Sequence, residues 1–275
     1  MFVIFGATGN VGRRLVQQLV EVGHRVRAVT RKPDDAGLPA AVEVRFGDLD
    51  QPDSLAPVLQ DADAVFLLNA ANRPDEVARA IADAGIRRVV FMSALVVRPR
   101  PQLGISQAHL RTEKALQDGD FELTVLQPGQ FASNTLQWLD MISSGVIYAP
   151  FADVAIPTVD PYDVAAVVAL ALTAPGQDHH GKSYPLTGPA ISPRQRATVL
   201  ATELDRPIDF VELTTEQARE QMIKTLPPAV ADSLLEMIGE PSPVEREESP
   251  VVEELLGRPP RDFATWVRAN RSAFA

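Results

Sequence analysis

The chain has 275 residues, a formal net charge of -10, a pI near 4.9 and no cysteine. Without thiols it forms neither disulfides nor cysteine-ligated iron–sulfur or zinc sites, and its natural setting is intracellular. The acidic balance repels phosphate backbones and anionic lipid surfaces, which sets nucleic acid aside as a partner.

The first residues, MFVIFGATG, lead directly into a strand and a glycine turn, with no basic region or small-residue cleavage site of a signal peptide. The longest apolar run, VAAVVALAL at 164–172, falls well short of the ~20 residues that a membrane-spanning helix requires. A cytoplasmic protein is expected, with no membrane contact.

Apolar runs of strand length recur through residue 126 (FVIF, VRAV, VEVRF, AVFLL, RVVFM, LTVL), and helical periodicity separates most of them. Such alternation predicts an α/β fold, a parallel sheet wound with helices on both faces. In the first helix Val11, Leu15, Leu19 and Val22 are expected to form the buried stripe, with Gly23 as the stop.

Between the first strand and that helix lies GATGNVG, with Gly6, Gly9 and Gly12 at three-residue spacing. Gly6 suits a tight turn, Gly9 a close approach of backbone to pyrophosphate, and Gly12 close packing of helix on strand. The helix N-terminus behind them offers free N–H groups to an anion. A strand, this turn and a helix at the head of a βα series form the context of a dinucleotide site, and the fold is Rossmann-like.

At the end of the second strand, where an NAD site usually carries an acidic residue for the ribose 2′-hydroxyl, stand Thr30, Arg31 and Lys32. Two cations suit the 2′-phosphate of NADP, so NADPH is expected over NADH. Asp48 and Leu49 follow the third strand; Asp48 either meets the adenine or caps its own turn. Asn69 with Ala70 and Ser93 with Ala94 end the fourth and fifth strands, at the sheet edge where wound α/β folds bind ligands.

After residue 130 come a helical stretch FASNTLQWLDMISSG, a short VIYAP, and a helix PYDVAAVVALALTA led by Asp160. Residues 182–275 hold short strands (KSYPL, IDFVEL) and several helices, interrupted by GEPSPVEREESP at 239–250, which reads as a linker, a mobile lid or a solvated loop. The expected organisation is a nucleotide-binding domain over 1–150, to which 151–180 partly returns, and a smaller α+β cap over 181–275. His179 and His180 beside Asp178 do not make a metal site by spacing, and none is expected.

The chain resembles the NmrA-like, atypical branch of the short-chain dehydrogenase/reductase superfamily, and within it the NADPH:quinone oxidoreductase group. The likeness rests on GATGNVGRRLV, on HLRTEKALQDGDFELTVLQPGQFASN at 109–134, on VDPYDVAAVVALAL, on GKSYPLTGP, and on the tail LLGRPPRDFATWVRANRSAF. It implies that Gly6, Thr8, Gly9, Asn10, Val11 and Gly12 hold the pyrophosphate, and Arg31 and Lys32 the 2′-phosphate. Asn69, Ala70 and Ser93 then line the nicotinamide side, and Gln127, Pro128 and Phe131 close over the ring. Gln127 departs from the arginine or leucine often found before that proline.

Typical members of the superfamily use a Tyr-x-x-x-Lys pair to pass a proton. The three tyrosines here, Tyr148, Tyr162 and Tyr184, are followed four residues on by Ala152, Ala166 and Gly188. His109 and Glu113 take the dyad's places, and with Ser93 they are the candidate catalytic residues. A carboxylate four residues on favours an imidazolium at His109, while Lys114 points about 100° away and reads as surface charge. Substrate contacts are expected from Phe131, Asn134, Trp138 and Tyr148, although Phe131, Thr135 and Trp138 also have the spacing of ordinary helix packing.

These features suggest hydride transfer from NADPH to an activated small-molecule acceptor, such as a quinone, an enone or a polyketide-like aromatic carbonyl. The alternatives are a non-catalytic NADP(H)-sensing regulator and an NADP-dependent isomerase or tailoring enzyme of secondary metabolism. Monomer and homodimer remain equally open.

Overall fold

The computed structural model describes residues 1–68, 72–176 and 178–274. They pack into two compact units, Met1–Pro128 with Pro161–Leu186, and Gly129–Asp160 with Thr187–Ala275. The division differs from the boundaries expected at 150 and 181, since 129–150 packs in the second unit and the segment that returns to the first is 161–186.

The first unit is built on β1 (Phe2–Phe5), α1 (Gly12–Glu21), β2 (Val26–Thr30), β3 (Glu43–Phe46), α2 (Ala56–Leu59), β4 (Ala64–Leu67), α3 (Pro74–Asp83), β5 (Arg88–Met92), α4 (Gly104–Gln117) and β6 (Glu122–Pro128). A seventh strand, Ser183–Leu186, pairs with Val125–Pro128. All are parallel, and across the sheet the order is Ser183–Leu186, β6, β5, β4, β1, β2, β3. KSYPL was expected in the cap; as the seventh strand it completes this sheet instead.

Strand alternation sorts the core onto two faces. Val3, Phe5, Val65, Leu67, Val89 and Phe91 join Val77, Ile81 and Leu116 of α3 and α4 in one cluster. Ile4, Phe66 and Val90, equally buried, alternate to the opposite face. There α1 packs against the helix Pro161–Thr173, which is apolar around most of its circumference because the sheet and α1 cover it. Along α1 the buried residues are Gly12, Leu15, Val16 and Leu19. Val22 misses the expected stripe: the helix ends at Glu21, and Val22, as its C-cap, is 71% exposed.

The second unit has a three-stranded sheet (Gln130–Phe131, Ile156–Val159, Ala190–Ile191) and a parallel pair, Val146–Ala149 with Asp209–Glu212. Its core gathers Ile142, Ile147, Leu200, Phe263, Trp266 and Val267; the Phe263 and Trp266 rings stack at 5.5 Å. Asp160 directly precedes the helix Pro161–Thr173, as expected, and is buried with Arg261 Nε 3.1 Å from its carboxylate. The stretch 239–250 is neither linker nor free loop. Ser242 and Glu245 form a capping box on the helix Pro243–Arg246, Glu248 accepts from Ala190 N at 2.8 Å, and Ser249 N donates to Thr187 Oγ1 at 2.6 Å.

Among the described residues, no helix is long and apolar enough to cross a membrane.

Candidate functional site

The glycine turn leaves the sheet beside the point where strand order reverses, with β1 flanked by β2 on one side and β4 on the other. Ligands of wound α/β folds bind at such a switch point. Gly6 has φ 64°, a left-handed backbone, and its carbonyl accepts from Gly9 N at 2.9 Å. A Cβ on Gly12 would lie 2.1 Å from Gly6 O, so α1 can sit this close to the turn only with glycine there. No side chain caps α1; Arg13 N donates to Gly9 O at 3.0 Å and Leu15 N to Val11 O at 2.9 Å, and Gly9 and Asn10 are exposed, so the positive end of the helix faces an exposed turn where an anion is favoured. Thr8 is half-buried and Val11 buried. This cradle fits a pyrophosphate.

Arg31 and Lys32 follow β2 with exposed side chains. Among the described residues neither side chain has a protein partner, and Lys32 N donates to Thr30 Oγ1 at 3.2 Å. Arg13 clamps the segment beyond them, donating to Gly37 O at 2.6 Å and Ala36 O at 3.0 Å. Of the two roles open to Asp48, the turn role is present: its carboxylate accepts from Asp50 N and Gln51 Nε2, each at 3.1 Å. Leu49 packs against the core cluster. Asn69 and Ala70 lie outside the described residues.

Ser93 ends β5 and is 3% exposed. Its N–H donates to Leu126 O at 2.8 Å, which sets Ser93 next to Gln127 at the C-terminal ends of adjacent strands, and its hydroxyl donates to Glu113 Oε1. His109, one turn earlier on α4, packs near Phe91, with ring centroids 6.2 Å apart. Burial pushes its pKa below the usual 6.5, opposite to the direction expected from Glu113: desolvation governs the imidazole, and Glu113 accepts from Ser93. Lys114 turns instead to Asp118, at 2.7 Å. His109 Nδ1 and Gln127 Oε1 are both buried without a hydrogen-bond partner. Such groups cost about 1–3 kcal/mol each when left unpaired, and a polar ligand at the C-terminal edge of the sheet relieves that cost. Pro128 beside Gln127 is buried.

The shift gives a pH prediction with a definite sign. The unfolded chain protonates His109 near 6.5, before the folded chain does, so the unfolded state binds more protons in that window and stability falls as pH drops below it. Relative to a His109→Gln variant, the wild-type Tm should fall progressively below pH 6.5 and keep a constant offset above it, as checked by thermal melts across pH.

The second unit contains a cavity of about 580 Å³. Asn134, Trp138 and Tyr148 line it, and Phe131 does not. Phe131 is half-buried and pairs with Val159 in the small sheet. The expected continuous helix after 131 is a 3-10 stretch, Ala132–Trp138, followed by an α-helix, Leu139–Ser144. At three residues per turn, Trp138 both packs on the core and reaches the cavity.

Gln130, Ser133, Met222, Met237 and Arg196, which lie outside the expected substrate contacts, also line the cavity. For Arg196 a signal existed: ISPRQRATVL has a Ser-x-x-Gln capping pattern, and in the resulting helix Arg196 shares the buried face with Ala197 and Leu200. His179, set aside as a metal ligand, has Nδ1 2.9 Å from the Tyr184 hydroxyl, and among the described residues no acidic, histidine and cysteine cluster could hold an ion.

A wound sheet, a glycine cradle at its switch point and unpaired polar groups at its C-terminal edge define a nucleotide-binding oxidoreductase-type unit. The family model described as NAD(P)H-binding matches residues 6–175, and the chain belongs to that family. It is 37% identical over 289 residues to the (4-alkanoyl-5-oxo-2,5-dihydrofuran-3-yl)methyl phosphate reductase of Streptomyces griseus, covering 100% of this chain and 99% of that protein. It is 30% identical over 286 residues to the NAD(P)H azoreductase of Xenophilus azovorans, covering 100% and 99%. The structure of the NADPH-dependent quinone oxidoreductase QOR2 of Escherichia coli, complexed with NADPH, superposes with a TM-score of 0.81 at 26% identity, covering 98% of this chain and 99% of that one. All three are reductases or oxidoreductases by name, and two of the names state NAD(P)H or NADPH.

Proposed function

We propose that the chain is an NADPH-dependent reductase that delivers hydride to an activated acceptor: a quinone, a conjugated enone or a polyketide-like aromatic carbonyl. The observation that carries this reading is the cavity in the second unit, within the usual range for small-molecule sites and lined by Trp138, Tyr148 and several methionines. A protein that only senses nicotinamide nucleotide needs the glycine cradle and no second cavity. The furanone, azo and quinone acceptors in the relatives' names share an electrophilic multiple bond, which supports the acceptor class.

NADPH, when bound, supplies the hydride. The chain's residues hold and orient: the turn Gly6–Gly12 takes the pyrophosphate, Arg31 and Lys32 the 2′-phosphate, and Ser93, Gln127 and Pro128 the nicotinamide end. A neutral His109 is a hydrogen-bonding group that positions a polar atom through Nδ1, and it is a weak acid only. An electrophilic acceptor tolerates this, since its own electron demand carries much of the driving force and solvent completes protonation.

NADPH oxidation with a panel of quinones and enones tests the reading. Turnover is expected with at least one acceptor class; tight NADP binding without turnover would move the chain to the regulatory reading. His109→Ala should lower turnover about tenfold or more, and an unchanged rate would make His109 scaffolding.

A further inference from the structure

Arg196 sits in the first turns of the helix Pro193–Leu204 and is 6% exposed, yet it lines the cavity of the second unit. Its hydrogen-bond partners are neutral. Nη2 donates to Thr158 Oγ1 at 2.6 Å and to Gln130 Oε1, and Cζ lies 5.7 Å from the centroid of the Phe263 ring. Nε is buried without a partner. Four other arginines of the unit meet carboxylates: Arg194 meets Asp153 at 3.0 Å, Arg219 meets Asp232 at 2.6 Å, Arg268 meets Glu203 at 2.6 Å, and Arg261 meets Asp160; Arg206 and Arg246 hold backbone carbonyls and do not line the cavity. Among the described residues no carboxylate pairs with Arg196, and neither Asp nor Glu lines the cavity.

A buried charge without a counter-ion is expensive, and proteins pair such groups or leave them for a ligand. Burial lowers the Arg196 pKa to about 10, so the group stays cationic at neutral pH. Holding Thr158 and Gln130 requires only a neutral donor, so the charge itself is not explained by that packing. In a chain of net charge -10, this cavity is a local positive site whose low-polarity walls strengthen its field.

We propose that Arg196, with Gln130 beside it, is an anion anchor, and that the cavity takes an aromatic or unsaturated molecule carrying a phosphate-type oxyanion. Nη2 gives both of its hydrogens to Thr158 and Gln130, so Nη1 holds such a group by charge-assisted hydrogen bonds. Trp138 and the methionines Met141, Met222 and Met237 cover the apolar body. This deepens the acceptor reading above and rests on it for the identification of the bound molecule as the acceptor.

Binding is measured by calorimetry with NADP saturating, so that the nucleotide cradle is filled, using 2-naphthyl phosphate against the neutral 2-methoxynaphthalene. The wild type should bind the phosphate at least tenfold more tightly; Arg196→Gln should remove the difference and Arg196→Lys keep part of it. Equal affinities in the wild type, a comparison that needs no variant, would overturn the anchor, as would a preference that survives Arg196→Gln. A kinetic arm compares 1,4-naphthoquinone with its 2-sulfonate: Arg196→Gln should raise the ratio of the sulfonate's KM to the neutral quinone's KM at least tenfold. A parallel loss for both quinones overturns the anchor by making Arg196 structural. Arginine-dependent phosphate binding with no quinone turned over leaves the anchor standing and defeats the reductase reading. Turnover without anion preference does the reverse.

Discussion

Replacing Gly12 by alanine should abolish measurable NADP binding, weakening it by roughly 100-fold or more, and should lower unfolding free energy by about 3 kcal/mol. The added Cβ would lie 2.1 Å from Gly6 O and 2.8 Å from Ala7 Cα, both backbone atoms, so no rotamer change relieves it and α1 must withdraw from the turn. Withdrawal moves the first-turn N–H groups away from the pyrophosphate position, and binding fails for the same reason that stability does. Gly9→Ala separates the two effects. A Cβ there meets only Gly6 O, at 3.2 Å, so the fold should persist with a Tm close to wild type while a methyl on the exposed side obstructs the phosphate. Calorimetric titration with NADP and thermal melts of both variants decide it. Wild-type NADP affinity in Gly12→Ala would mean that the dinucleotide is held elsewhere.

The cradle was legible because it depends on local geometry that only certain residues permit: three glycines at fixed spacing between an apolar run and a helical stripe. Strands β1, β2, β4, β5 and β6 were legible for a related reason, as buried parallel strands read as short continuous apolar runs; β3, at the sheet edge and partly exposed, shows apolar residues only at alternate positions. KSYPL could not be assigned in the same way. Its burial pattern runs from exposed Ser183 to buried Leu186, and only pairing with a strand 58 positions earlier, Ser183 against Val125, makes it part of the sheet. The environment of His109 was not legible for a comparable reason: spacing along α4 brings Glu113 to the same face, but the burial that lowers the His109 pKa and the Ser93 hydroxyl that bonds Glu113 come from the tertiary fold. Arg196 shows the limit of composition. An arginine in a helix reads as surface, and its burial follows from the core around Leu200 and Phe263, which is assembled from segments more than sixty residues apart.

Arg31→Glu should shift the NADPH-to-NADH preference by about 100-fold toward NADH, with little effect on stability. Arg31 is exposed and, among the described residues, has no protein partner, so its removal takes nothing from the fold. On the proposed reading it forms charge-assisted bonds to the 2′-phosphate, and a hydrogen bond to a charged group is worth about 1.5–3 kcal/mol. A carboxylate in its place adds repulsion toward the phosphate and offers an acceptor to the ribose 2′-hydroxyl, the arrangement of NAD-dependent sites. Lys32→Glu should produce a smaller shift, because ammonium is a point charge without the guanidinium's two-pronged geometry. Because these groups lie in water, the wild-type preference should also shrink as ionic strength rises, whereas a buried phosphate pocket would be far less sensitive. Ratios of kcat/KM for the two cofactors provide the measurement, and Kd values for NADP and NAD replace them if no acceptor is turned over. A preference that survives both substitutions would place the 2′-phosphate contact away from the end of β2, and Arg13, which bonds to Ala36 and Gly37 beyond it, would be the next cation to replace.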